Sequence, residues 1–270
     1  MPAVRTPTAT LYYESHGSGP PVVFVSGWGL SHICWEPVVE LLSDRFRCIV
    51  YDARGTGRSR VAADAPFELQ DLVDDLQVLC ERESVYDAHI VGHELGGRVA
   101  VLAARLHPQI AATLTITGWW GAAEIHEAIG DFARFRKTAS LLLHDLGSFP
   151  VLRNLVAWGY RRAPEPQRSA LFEEFAALDA QAAYQTAVGA DDPAACEAFD
   201  EAVTKVSLPV LLIQGSDDRE AARRGLRGLF RRFGHVDLAT IHGSGPLPML
   251  EHAGPFARTL AQFFTEHPAK

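Results

Sequence analysis

The residue in this chain best suited to chemistry is Glu94. It lies in His89-Ile90-Val91-Gly92-His93-Glu94-Leu95-Gly96-Gly97, an apolar run that enters a Gly-x-X-x-Gly turn. That spacing marks a sharp strand-to-helix turn, crowded enough to admit only small flanking residues, which normally displays a serine hydroxyl. Here a carboxylate stands at the display position. Two kinds of chemistry are open to it. In an apolar cavity, desolvation raises a carboxyl pKa, and values near neutrality suit a proton shuttle worth roughly 10²–10⁴-fold in rate. The helix N-terminus that follows the turn opposes this shift by favouring the anion. Alternatively, the carboxylate attacks substrate and forms an ester, which a second group must help water to hydrolyse.

Such a turn needs a buried strand before it and a helix after it. Short apolar runs at Val22-Val23-Phe24-Val25, Cys48-Ile49-Val50-Tyr51, His89-Ile90-Val91, Leu114-Thr115-Ile116 and Pro209-Val210-Leu211-Leu212-Ile213 read as strands covered on both faces. Val236-Asp237-Leu238-Ala239 is a weaker last strand. Helical spacing falls between them, over 35–43, 68–81, 97–106, 220–233 and 255–264. Strands alternating with helices predict a parallel α/β sheet, which places ligands at the carboxyl ends of its strands. The stretch 121–206 breaks the alternation. It is rich in Ala, Leu and Phe at helical spacing and is punctuated by Pro164-Glu165-Pro166 and Asp191-Asp192-Pro193. It reads as a helical cap inserted into a core domain formed by 1–120 and 207–270.

Composition narrows the class. A net charge of −8 argues against a nucleic-acid partner and gives no reason to expect an anionic membrane surface. Four scattered cysteines, with no C-x-x-C pair, suggest neither a metal site nor a disulfide framework. No apolar run reaches about 18 residues, and Met1 to Glu14 has no signal-peptide pattern. The expectation is a cytoplasmic protein, monomer or homodimer, with a small organic molecule as its partner. The arginines between 223 and 232 lie opposite Leu226, Leu229, Phe230 and Phe233, so they read as the solvated face of an amphipathic helix.

Five segments in order carry a resemblance to a known family. They are Ser26-Gly27-Trp28-Gly29, Tyr51-Asp52-Ala53-Arg54-Gly55-Thr56-Gly57-Arg58-Ser59, Gly92-His93-Glu94-Leu95-Gly96-Gly97, Gly215-Ser216-Asp217-Asp218, and Gly243-Ser244-Gly245-Pro246-Leu247-Pro248-Met249-Leu250-Glu251-His252. Together they resemble the α/β-hydrolase superfamily over essentially the whole chain. The resemblance implies a mostly parallel eight-stranded sheet with helices on both faces and an inserted helical cap. It implies an oxyanion loop at Gly27 and Trp28, whose Trp28 and Leu95 backbone N–H groups would hold a developing oxyanion. It implies a triad acid at Asp218. His93 matches a histidine common beside the nucleophile, and Trp119 and Trp120 would wall the pocket.

Two triad positions depart from the family pattern. Glu94 stands for the serine and Pro246 for the histidine. Proline has no titratable group and no N–H, so the acyl-enzyme mechanism lacks its base. His32 and His242 are the candidate substitutes. The preferred reading is an enzyme without cofactor or metal, in which Glu94 is the general acid/base for isomerisation, dehydration, decarboxylation, retro-aldol cleavage or cyclisation. Its substrate is expected to be small and apolar, cyclic or polyketide-like. Three alternatives stand beside it: an ester or epoxide hydrolase with Glu94 as nucleophile, a cofactor-free oxygenase, and a ligand-binding protein without catalysis.

Overall fold

The computed structural model describes residues 2–62, 65–118, 160–178, 182, 185–186, 189–190 and 192–269. Its frame is one twisted sheet. Strands β1 (Ala3–Arg5), β2 (Ala9–His16), β3 (Pro21–Val25), β4 (Arg47–Tyr51), β6 (Ala88–His93), β7 (Ala111–Thr117), β8 (Val210–Gly215) and β9 (Val236–Ile241) lie in the order β1-β2-β4-β3-β6-β7-β8-β9. The two-residue β5 (Arg60–Val61) pairs β2 antiparallel, making nine strands among the described residues where eight were expected. β4, β3, β6, β7, β8 and β9 are mutually parallel, while β1 and β2 are antiparallel additions at one edge.

Alternation along the strands feeds two apolar layers, because successive side chains point to opposite faces. Val23, Val25, Ile49 and Ile90 pack under α2 (Leu69–Arg82) and α3 (Leu95–Leu106). Val22, Phe24, Val50 and Val91 pack under α1 (Glu36–Leu42) and under α8 (Ala253–Glu266), which supplies Phe256, Leu260 and Phe264. Central strands covered on both sides read as continuous apolar runs, which is why β3, β4 and β6 stood out in the sequence.

Further helices pack on both faces of the sheet, among them the short α7 (Pro248–Glu251), which buries Met249 and Leu250. In α6 (Glu220–Phe230), Leu226 and Leu229 are buried, and Phe233 follows just beyond the helix. Phe230 departs from the predicted apolar face and is 40% exposed. From the inserted stretch, α4 (Gln167–Ala176) buries Leu171 and Phe175. α5 (Pro193–Lys205) instead adds Phe199, Ala202 and Val203 to the same apolar layer as α2 and α3. That placement puts α5 against the sheet domain.

β6 ends at His93 and α3 begins at Leu95, so Glu94 alone makes the reversal. It adopts φ 47°, ψ −112°, a positive φ that costs energy for a residue with a Cβ. The glycines around it are required by contact. A Cβ on Gly92 would lie 2.4 Å from the Gly96 carbonyl oxygen, and one on Gly96 would lie 2.2 Å from that of Val25.

Candidate active site

The site forms where the carboxyl ends of β3, β6 and β8 meet. The Glu94 N–H donates to the Thr117 carbonyl at 2.9 Å, tying the turn to β7. The Glu94 carbonyl accepts from Gly97 N–H at 3.0 Å and starts α3. Its carboxyl faces the loop after β3: a Cβ built on Gly27 would fall 3.2 Å from Glu94 Oε2. Glu94 keeps a partly accessible surface, yet the protein atoms around its carboxyl remove most of its hydration. Burial therefore pushes its pKa up to about 8, with Arg219 pulling it down and the Asp218 carboxylate pushing it up. Desolvation is the largest of these influences, and a pKa of about 8 leaves the carboxyl mostly protonated at pH 7.

Gly27 and Trp28 stand on the opposite wall. The Trp28 ring meets Phe175 of α4 edge-on, with centroids 5.9 Å apart. A cleft lined by Gly27, Trp28, Thr56, Leu95, Val99 and Thr186 includes the chain neighbour of Glu94, Leu95, but not Glu94 itself. Leu95 opens α3, so its N–H is one of the first-turn donors that a helix leaves without an internal acceptor.

The loop that would carry a base is fixed in another way. The Glu251 carboxylate accepts from Gly245 N–H at 2.7 Å and from Leu247 N–H at 3.2 Å, clamping the turn around Pro246. Arg162 pairs with Glu251 at 3.0 Å and with Asp217 at 3.2 Å, and donates to the Gly243 carbonyl. His93 is buried, and burial pulls its pKa down to about 4. As a neutral ring, its Nε2–H donates to the Pro246 carbonyl at 3.1 Å. His93 thus joins the elbow to the Pro246 turn. Asp218 is buried, with its carboxyl pushed up by desolvation, and accepts from the Arg219 N–H at 2.7 Å.

The two substitute histidines lie elsewhere. His32 is buried, and its Nδ1–H donates to Asp52 Oδ1 at 2.7 Å, beside a backbone bond to the same atom at 2.8 Å. Burial favours its neutral form, but Asp52, Glu14 and Glu174 together outweigh it and raise its pKa. Both bonds to Asp52 fix the loop after β3, and one of them occupies the ring nitrogen Nδ1. His242 is exposed on the turn after β9, so the structure does not bring it to Glu94. Trp119 and Trp120 lie outside the described residues.

Sequence reasoning did not find Arg219, nor the pairing of Arg162 with Glu251. Arg219 follows Asp218 directly, and that adjacency was the available signal. Arg162 acts across 89 positions on Glu251 (251 − 162), a pairing that no local pattern encodes. Among the described residues, no three His, Cys, Asp or Glu side chains converge as a metal site, and no helix is long and apolar enough to cross a membrane.

Comparison with known proteins agrees with this fold. Residues 22–259 match the model of the alpha/beta hydrolase family. A protein of Azorhizobium caulinodans named as a carbamate hydrolase, RutD, is 35% identical over 124 residues, 46% of each chain. The chain therefore spans about half the length of that relative. A protein of the same name from Stutzerimonas stutzeri is 25% identical over 95% of this chain and 97% of its own. The fold is shared with an esterase from Thermogutta terrifontis (TM-score 0.81, 20% identity, 98% of both chains). It is shared also with the enol-lactonase of Burkholderia xenovorans (TM-score 0.76, 21% identity, 95% of this chain and 97% of that one). With five ordered motifs, this sheet topology and a family match over most of its length, the chain belongs to the alpha/beta hydrolase family.

Proposed function

We propose that this chain is a cofactor-independent enzyme in which Glu94 gives and takes a proton on a small organic carbonyl compound. What supports the reading is a carboxyl on the elbow whose pKa burial pushes up to about 8, next to a turn whose base position is Pro246 with its carbonyl engaged by His93. A neutral carboxyl is a weak nucleophile but a ready proton donor. The N–H groups of Trp28 and Leu95 supply the hydrogen bonds that an oxyanion or enolate needs. Once Glu94 has donated its proton, the charge of Arg219, which already opposes the neutral form, stabilises the carboxylate until it is reprotonated. This sequence suits dehydration, isomerisation, decarboxylation, retro-aldol cleavage or cyclisation, none of which needs a covalent ester. The apolar side chains of Leu72, Leu95 and Val99 on the cleft favour a substrate with an apolar body.

A hydrolytic reading has one specific support: the relatives from Azorhizobium and Stutzerimonas are named as hydrolases of carbamate. In that reading Glu94 forms an ester, which must then be hydrolysed without an adjacent imidazole. One experiment separates the two. Wild type and Glu94→Gln are incubated with β-hydroxy ketones, enol lactones, aryl esters and carbamates, and the protein is followed by intact mass. The proposal expects turnover that Glu94→Gln abolishes and no mass added to the Glu94 peptide. Full turnover by Glu94→Gln overturns it, and a trapped adduct on Glu94 transfers the assignment to the hydrolase.

A further inference from the structure

Four residues after Glu94, α3 carries a buried cation. Arg98 is 3% exposed. Its Nη2 donates to the Cys196 sulfur at 3.5 Å, its guanidinium lies 5.5 Å from the centre of the Phe199 ring, and its Nη1 is buried with no hydrogen-bond partner. A thiol sulfur is a weak acceptor, and a buried charge that has only this acceptor and a ring face among the described residues is costly. The position asks for an anion with oxygen acceptors.

Cys196 is placed to become one. It lies in the first turn of α5, where the helix dipole favours negative charge. Asp192 caps that turn by accepting from Ala194 and Ala195 N–H. The sulfur lies between Arg98 and the Ala190 carbonyl, 3.9 Å away, and the residue is partly accessible to solvent. The other three cysteines differ on each point. Cys34, Cys48 and Cys80 are buried, and burial pushes the Cys48 and Cys80 thiols up to about 12 and Cys34 higher still.

We propose that Cys196 is an oxidation site, at which a hydroperoxide converts the thiol to a sulfinate gripped by the Arg98 guanidinium. The sulfur attacks the outer peroxide oxygen; an S–O bond forms as the O–O bond breaks. The thiol proton leaves with the departing hydroxide as water. Sulfur loses two electrons and peroxide gains them, giving the sulfenic acid. A second equivalent of peroxide adds the second oxygen in the same way and removes two more electrons. The sulfinic proton passes to solvent. The two sulfinate oxygens then match the planar fork of the guanidinium, and Nη1 gains its acceptor. The modified residue ties α5 to the helix that starts at Glu94.

The test uses the whole chain and hydrogen peroxide, with peptide mapping of oxygen added at each cysteine. Cys196 is expected to gain two oxygens about tenfold faster than Cys34, Cys48 or Cys80, the ratio that one hydrogen bond to a charged group supplies. Arg98→Met should remove that preference. Because Arg98→Met could unfold the chain, a second readout uses folded protein. Oxidised wild type should melt about 3 to 6 °C above reduced wild type, and peroxide should leave the Tm of Cys196→Ser unchanged. Oxygen spread evenly over the four cysteines, an unchanged preference in a folded Arg98→Met, or a lower Tm after oxidation would each overturn the proposal.

Discussion

Replacing Glu94 by Gln keeps the shape of the side chain and removes its titration. The stability difference between wild type and Glu94→Gln therefore reports Glu94 alone, since every other group is common to both. In the folded protein the carboxyl is held near 8, against an ordinary value of 4.5. Between those values the folded state keeps a proton that the unfolded state has released. Stability then falls as pH rises, by about 1.4 kcal/mol for each unit. The penalty is absent well below 4.5 and fully in place above 8. Integrated from pH 5 to pH 8, wild type should lose about 3.5 kcal/mol relative to Glu94→Gln. For a chain of this size that is a gap of about 7 to 14 °C in Tm. Urea unfolding of both proteins at pH 5, 6, 7 and 8 measures it. Two stability profiles that stay parallel within about 0.5 kcal/mol over that range would refute the reasoning, because Glu94 would then titrate near its unfolded value.

Three other outcomes follow from the same geometry. Turnover of whichever carbonyl substrate the enzyme accepts should fall as pH rises through about 8, because the donor loses its proton there; a rate that instead rises through that pH would make Glu94 the base. Gly96→Ala should destabilise the fold by about 3 kcal/mol or more, since its methyl group would meet the Val25 carbonyl at 2.2 Å; an unchanged urea midpoint would show that the elbow has room. Glu94→Ser combined with Pro246→His should give measurable hydrolysis of p-nitrophenyl acetate, with Asp218 as the waiting acid, while each single substitution stays at background. Activity in either single variant would contradict the view that both triad positions have been rebuilt.

The sequence was most legible where burial on two faces wrote itself as an apolar run. Val22–Val25, Cys48–Tyr51 and His89–Val91 are strands for that reason, and the glycines of the elbow mark a contact that no side chain fits. β1 and β5 were not legible, because two or three residues at a sheet edge carry no periodicity. Within the site, Glu94 and the Pro246 turn could be read from motif spacing. The direction of the Glu94 titration could not, because desolvation and the helix terminus oppose each other and only packing decides between them. His32 was read as a substitute base from its place in the β3 loop. Its partner Asp52 stands twenty positions on, and the short bond between them turns the imidazole into a clamp for that loop.

The most direct test of the account is an infrared titration of the Glu94 carboxyl, taken as the difference between wild type and Glu94→Gln. The protonated C=O band assigned to Glu94 should persist through pH 7 and disappear with a midpoint near 8. A band already lost by pH 5, with a midpoint near 4.5, would mean that the elbow carries a permanent carboxylate, and the proton-donor mechanism would fall with it.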